Sequence, residues 1–460
     1  MKNIIRTVLA GAALLVAVSC SDKFFVQYPS NTIAGVNNYL SDEDFDQNVK
    51  CCYLKTKTQM SFFLNELAFR SDECGLDMMA VSVQDRYDID HFQEVSSNGI
   101  LKDVWNAWYN GIYRCNDVLD HMEGRELPNG NKYRGETLFL RSWWYFNLYR
   151  VFGCVPITTK VVKHEEAKTI ARCSEEQMYD LLTGDLTEAA ALLPETRSSE
   201  KARVTKIAAQ TLLAKVYLTF GDYPKAQAVL EDAMTDGAFG MMATTAEAFN
   251  VANKMNKEII FAIYYDKTSD NGHGYWYSAS TAVLKDIENP KMQFKGIYES
   301  GDNRLDLIGK YTRITNNLYA MNKWMDKYDE VYKKSVGNDF PVLRYPDILL
   351  MYAEALGEQD RIAEALPYLN RTRTRAGLAG LTSAEVPDKE TFIRELANER
   401  GREFALEGHR WFDLVRLGLA VDYFKNLGYT LDSHNLLFPI PKDQIEIVND
   451  NNILWQNPGF

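Results

Sequence analysis

Little in this sequence points to catalysis by a ready-made motif. It contains no HExxH metal pair, no GxSxG nucleophile turn, no GxxxxGK[ST] phosphate loop and no GxGxxG dinucleotide turn. Its six histidines never fall at metal-ligand spacing on one helix, so neither a metal nor an organic cofactor is expected. Basic charge is also short: 51 Lys and Arg stand against 63 Asp and Glu, a net of −12. That balance excludes a nucleic-acid partner, which requires a basic face to displace counterions. Seven cysteines form no CxxC pair. Cys51, Cys52, Cys74, Cys115, Cys154 and Cys173 are too scattered for the disulfide framework of a small secreted domain, and buried free thiols are expected. No low-complexity tract or linker divides the chain, which is expected to form one compact body.

Long apolar runs are missing too, with one exception at the start. Lys2 and Arg6 precede an unbroken apolar or small run from Val8 to Val18, and small Ser19 then precedes Cys20. A positive start, a short apolar stretch and a small residue before a cut describe an export signal over residues 1–19. The run is about half the ~20 residues that a membrane-crossing helix needs. Ala17-Val18-Ser19-Cys20 resembles the bacterial lipobox, with alanine where leucine is usual. Lipidation of Cys20 is therefore expected, with residues 20–30 as a tether.

The body reads as mostly α-helical. Ala208, Ala209, Leu212, Leu213, Val216, Tyr217 and Phe220 recur at helical spacing, Gly221-Asp222-Tyr223-Pro224 interrupts, and Ala226, Leu230 and Ala233 resume it. These offsets match a tetratricopeptide repeat, in which Ala214 and Ala226 let two helices approach closely. A looser copy comprises Tyr352, Ala353, Leu356, Ile362, Ala365 and Leu369. Repeats bury their faces on neighbours, so further pairs are expected. Phe139–Phe152 and Met178–Leu193 read as helices. Glu258–Tyr264 reads as a buried strand or extended segment. The prolines of Phe438-Pro439-Ile440-Pro441 argue against regular helix from there onward.

Two constellations could carry chemistry. Glu399, Glu403 and Glu407 recur every four residues on one predicted helical face, and a glycosidase needs two carboxylates. Arg400, Arg402, Arg410 and Arg416 lie among them, however, and guanidinium groups lower a carboxylate's pKa, which is wrong for a general acid. A structural ion-pair network of Glu399, Glu403, Glu407, Arg410, Asp413 and Arg416 accounts for the pattern better. The second constellation is aromatic. Tyr275, Trp276 and Tyr277 sit in a turn-rich, glycine-flanked stretch where flat rings could stack on the C–H face of a sugar. Tyr87, beside Arg86, is a second loop candidate. Helical aromatics such as Trp143, Trp144 and Tyr145 read as core.

Longer motifs resemble one family. Leu343-Arg344-Tyr345-Pro346-Asp347-Ile348-Leu349-Leu350-Met351-Tyr352-Ala353-Glu354-Ala355, Leu369-Asn370-Arg371-Thr372-Arg373-Thr374-Arg375-Ala376-Gly377-Leu378, the stretch from Glu399-Arg400 to Glu407-Gly408-His409-Arg410-Trp411-Phe412-Asp413-Leu414-Val415-Arg416, and the closing Gln456-Asn457-Pro458-Gly459-Phe460 resemble motifs of the SusD/RagB outer-membrane lipoproteins of Bacteroidetes. In the N-terminal half, Trp105, Tyr109, Ile112, Arg114 and Asn116, and then Arg141 to Pro156, are similar to the family's helices.

The resemblance implies a SusD-like fold: tetratricopeptide-like helix pairs as scaffold, long loops and few short strands. It divides the body into an N-terminal part at 31–240, a loop-rich insert at 241–340 and a C-terminal part at 341–460. It implies no enzyme activity, a place on the outer face of the outer membrane, and capture of oligosaccharide for a SusC-like TonB-dependent transporter. Peptide capture, as in RagB-like relatives, is the alternative, and a glycoside hydrolase the second. The family builds its ligand site from loops, which in this chain correspond to about 71–98 and 265–335. That places Arg86, Tyr87, Tyr275, Trp276, Tyr277 and Trp324 as candidate ligand contacts, while Trp105 and Trp108 fall in a family helix and read as structural.

Overall fold

The computed structural model describes residues 39–58, 60, 62–73, 84–265, 296–309, 311–315, 318–321, 323 and 337–460. Cys20, Cys74, Tyr275, Trp276, Tyr277 and Trp324 lie outside the described residues. The chain divides into two compact units, 1–47 and 48–460. In the first, Ser41 starts the helix Asp42–Lys55 (α1), which runs on into the second unit. Asp44 accepts from Ser41 N at 2.8 Å while Ser41 Oγ accepts from Asp44 N at 3.2 Å, a reciprocal cap of the kind that contributes about 1 kcal/mol.

The second unit is mostly helical, as expected. Among the described residues, helices of seven or more residues are α2 (Gln84–Asp90), α3 (Gly99–Met122), α4 (Gly130–Phe152), α5 (Glu175–Leu192), α6 (Lys206–Thr219), α7 (Tyr223–Met234), α8 (Tyr345–Glu358), α9 (Ile362–Arg375), α10 (Lys389–Glu403), α11 (Arg410–Arg416), α12 (Ala420–Asn426) and α13 (Lys442–Val448). Their boundaries follow from local chemistry. Asn98 caps α3, Ser174 and Gln177 form a reciprocal cap on α5, and Asp222 with Pro224 opens α7. Gly153 and Gly221 end α4 and the α6–α7 turn at φ +74 and +76, which side-chain-bearing residues rarely adopt.

From α3 to α10, each helix packs on the next, including α7 on α8 across the 241–340 insert. Alternate helices α4, α6, α8 and α10 also touch in turn. This is the repeat scaffold that the two sequence matches predicted, extended to further pairs. Ala214 and Ala226 are fully buried where α6 meets α7. Helices α3 and α4 pack tightly at Gly111, where a Cβ would lie 2.3 Å from Trp144 Nε1. Trp105, Trp108, Trp143, Trp144 and Tyr145 are all buried. Phe63 stacks on Trp108 and Trp143 with ring centroids 5.5 and 5.7 Å apart.

Among the described residues, four short strands form two two-stranded antiparallel sheets, β1 (Ile259–Ile263) with β4 (Phe340–Arg344) and β2 (Tyr311–Thr315) with β3 (Leu318–Met321). The strand read at Glu258–Tyr264 is β1; all five of its residues are buried, and Phe261 meets Phe139 of α4 edge-on at 5.1 Å. Two expectations need correction. Helix α13 follows directly on Pro441, because a proline just outside a helix forfeits no intrahelical hydrogen bond. The thiols are not uniformly buried: Cys51 is exposed and Cys154 is partly so. No helix among the described residues is long and apolar enough to cross a membrane.

Candidate functional site

The carboxylates that looked most like catalysts are sealed in the interior. Helix α10 stops at Glu403, and the chain turns through Leu406 and Gly408 at φ +61 and +73. Glu407 therefore lies beyond the helix, which corrects the single-face reading. The arginines close in sequence are mostly engaged elsewhere. Arg400 pairs with Asp347 at 2.9 Å and Asp413 at 2.8 Å, Arg410 with Asp72 at 2.8 Å, and Arg416 with Asp413 at 2.8 Å and also with Glu354. The cations that hold the glutamates come mainly from distant segments. Arg304 reaches Glu399 at 2.7 Å and Glu403 at 3.3 Å. Arg344 of β4 joins Glu403 at 2.9 Å, Glu407 at 2.8 Å and Glu258 at 2.7 Å. Arg375 also binds Glu403, and Lys323 binds Glu407 at 2.6 Å.

Glu403 is 1% exposed. Burial alone would raise its pKa, but Arg375, Arg344 and Arg304 outweigh burial and hold it well below the ordinary range of a glutamate. A carboxyl so held cannot protonate a leaving group near neutral pH. Two other glutamates have the opposite shift: burial pushes Glu66 to about 7 and Glu73 to about 8. Such values suit a general acid, yet the two residues are 1% and 3% exposed, and a substrate cannot reach them. Glu66 receives Arg86, and Glu73 accepts from Leu406 N at 2.7 Å.

What this charge layer does is fix the roots of the loops. Before residue 74, Asp72 is held by Arg410 and by Tyr423 Oη at 2.5 Å, and Glu73 by the turn after α10. Arg70, buried between the rings of Phe92, Trp411 and Phe438, binds Glu94 at 2.7 Å and donates to Asn435 O at 2.6 Å. After residue 83, Arg86 pairs with Glu66 at 2.7 Å, and Asp85 accepts from Gly99 N at 2.9 Å. The insert is rooted in the same way. Tyr265 N donates to Asp339, which also takes Lys254, at 2.9 and 2.8 Å. Glu299 is forked by Arg373 and Arg402 at 2.5 and 2.7 Å, and Lys323 is held as above. Both candidate ligand stretches are thus held by ion pairs, buried at Asp72 and Lys323 and partly exposed at Asp339 and Glu299.

Among the candidate contacts, Arg86 and Tyr87 fall on α2, a helix and not the loop expected. Gln84 donates to Asp88 at 2.6 Å across one turn, and Asn98 ties the helix to the start of α3. Arg86 pairs with Glu66 at 2.7 Å, and 28% of its side chain stays exposed. Tyr87 is half-buried, with one face stacked on His91 at 3.8 Å. Sequence reasoning missed Arg304, Lys323, Arg344, Arg375 and Asp72. Arg344 and Arg375 lie inside quoted motifs, but nothing local announces their partners.

Known proteins share this fold. Residues 291–460 match the family model described as SusD family, and residues 51–218 match that described as starch-binding associating with outer membrane. SusD-like protein P2 of Formosa agariphila is 26% identical, with 97% of this chain and 98% of that protein covered. Starch-binding protein SusD of Bacteroides thetaiotaomicron is 23% identical over 76% of each chain. Among solved structures, a SusD superfamily protein from Bacteroides vulgatus superposes with a TM-score of 0.79 at 22% identity, covering 92% of this chain and all of that one. A laminarin-binding SusD-like protein does so at 0.71 and 22%, covering 92% and 100%.

Proposed function

From a chain that belongs to the SusD/RagB family, we propose a cell-surface glycan-binding lipoprotein that captures oligosaccharide and delivers it to a SusC-like TonB-dependent transporter in the outer membrane. The observation that carries this reading is the set of ion pairs, from fully buried to partly exposed, that hold the residues flanking the candidate loops, in a chain whose relatives include a starch-binding and a laminarin-binding protein. Rigid roots hold a binding surface ready and so cut the ordering cost of capture. Tyr87 and Arg86 on α2, and Tyr275, Trp276, Tyr277 and Trp324 of the insert, are the proposed contacts. Rings would stack on sugar C–H faces and polar groups would bind the hydroxyls.

The protein acts as a binder and not as an enzyme. Its ionised glutamates are locked to arginines, and its pKa-raised ones are out of reach. Cys20 would be acylated after export. A multiply acylated cysteine gives the stable tether that one chain does not, and residues 20–30 would hold the body against the transporter. The test is affinity electrophoresis of the body lacking residues 1–20 through gels containing plant, host and microbial polysaccharides. Retardation by at least one neutral polysaccharide is expected, weakened by Trp276→Ala and Tyr87→Ala. Free passage through every gel, with calorimetric heat from a peptide digest, would replace glycan by peptide.

A further inference from the structure

Two small hollows in the described residues hold only about 30 Å³ each, room for a water or two. A third, between the start of α5, the α6–α7 turn and the start of α7, opens to about 610 Å³, within the range of small-molecule sites. We propose that this hollow is a second saccharide subsite, built apart from the loop surface and selective for neutral sugars. The proposal rests on the glycan-binding reading above and adds a place and a charge preference to it.

Its floor is aromatic and fixed. Phe220 stacks on Tyr149 with centroids 4.8 Å apart and planes at 17°, and meets Tyr179 edge-on at 5.4 Å. All three rings are half-buried; Phe220 and Tyr179 line the hollow, and Tyr149 backs Phe220. Their hydroxyls are already directed: Tyr149 Oη donates to Glu175 at 2.9 Å, and Tyr179 Oη donates to Asp222 at 2.8 Å. Lys225 donates to Tyr179 Oη at 2.8 Å and pairs with Asp222 at 2.8 Å. A ring pair with acceptors and one ammonium donor at its edge is the chemistry a pyranose needs: C–H groups against the rings, hydroxyls to the carboxylates and the amine. Because the groups hold one another in place, little side-chain entropy is lost on binding.

The rim also sets selectivity. Glu175, Glu176 and Asp222 stand against Lys225 alone, so a uronate or sulfated sugar meets like charge. Gly221 sits at φ +76 with nothing within 4 Å of where its Cβ would be. The turn that separates α6 from α7 therefore leaves the mouth of the hollow unfilled.

The experiment uses the body lacking residues 1–20 on an array of neutral α- and β-linked oligosaccharides, with oligogalacturonates as anionic probes. Tyr179→Ala, Tyr179→Phe and Lys225→Ala are compared with Tyr87→Ala, and thermal midpoints confirm folding. On the neutral sugars that the wild type retains, Tyr179→Ala and Lys225→Ala should weaken binding by about threefold to tenfold, the scale of one aromatic or polar contact. Tyr179→Phe should lose less, and a body already carrying Tyr87→Ala should show the same losses. Should all three variants match the wild type on every retained sugar, the subsite is refuted while the loop site stands. Stronger retention of oligogalacturonates than of neutral sugars would refute the charge preference. If the wild type retains no sugar, both proposals fall together.

Discussion

Glu403→Gln keeps the shape of a buried side chain and removes its charge. In the native protein this carboxylate faces Arg375, Arg344 at 2.9 Å and Arg304 at 3.3 Å, all of them buried. Taking away one partner of a buried ionic group leaves guanidinium charge poorly compensated in a low-dielectric interior, which costs about 3–5 kcal/mol. The unit 48–460 has an unfolding entropy of roughly 0.9 kcal/mol/K at about 2.1 cal/mol/K per residue, so the midpoint should fall by about 3–6 °C. Differential scanning calorimetry at neutral pH reads this directly. Glu364→Gln, which breaks the exposed Arg361–Glu364 pair, should leave the midpoint within scatter. The pH dependence has a definite sign. Glu403's folded pKa lies below its ordinary 4.5, so its contribution is present above that value and is lost as pH falls through the folded pKa. The gap between wild type and Glu403→Gln should be full at pH 7 and shrink in acid. A variant as stable as the wild type at pH 7, or a gap that widens in acid, would refute the account of the charge layer.

Glu73→Gln should behave in the opposite way, because burial raises that carboxyl to about 8. The wild type should match the variant only at or below about pH 4.5, lose stability relative to it as pH rises from there to about 8, and level off above, checked by urea midpoints at the two ends. Gly111→Ala should destabilise even though alanine favours helix by about 1 kcal/mol. A Cβ there meets the Trp144 ring, and overpacking costs about 1–3 kcal/mol; a raised melting midpoint would contradict the α3–α4 contact. Iodoacetamide should alkylate Cys154 with a midpoint near pH 7. The Cys173 hydrogen bond and the Arg172 charge lower its pKa to about 7 against partial burial, whereas Cys51 is raised. Peptide mass mapping showing Cys51 modified first at pH 7 would refute this. Protease added to intact cells should digest the body, and Cys20→Ala should release it from the membrane fraction; full protection would mean that the anchor faces the periplasm.

The scaffold was legible because helices announce themselves locally. The spacing of Leu212, Val216 and Phe220, the breaker Gly221 and the small residues Ala214 and Ala226 are written within one helix pair. The buried strand at Ile259–Ile263 shows as a run of apolar residues for the same reason. The charge layer was legible only by half. Four-residue spacing of Glu399, Glu403 and Glu407 suggested ion pairs but put Glu407 on the helix, and the neighbouring arginines suggested partners that mostly bind elsewhere. Arg410 reaches Asp72 across most of the chain, and Arg304 reaches Glu399 across about a fifth of it. No local pattern encodes such a meeting, which the tertiary fold decides. Tyr87 illustrates the remaining gap. Gln84-Asp85-Arg86-Tyr87-Asp88 is polar enough to read as loop, and its helix is fixed by contacts with Glu66 and the start of α3. The hollow beside Tyr179 and Phe220 was missed for a related reason: aromatics on helices usually pack inward, and only the packed helix ends show that these face water.

Capture without cleavage is the claim on which the rest depends, and one titration addresses it. The body lacking residues 1–20 is mixed in excess with a polysaccharide that retards it, and bound fraction and chain-length profile are recorded on the same sample over a day. The account predicts saturable, reversible binding with the length profile and reducing-end count unchanged. Binding accompanied by shortened chains and new reducing ends would contradict it and establish a glycoside hydrolase.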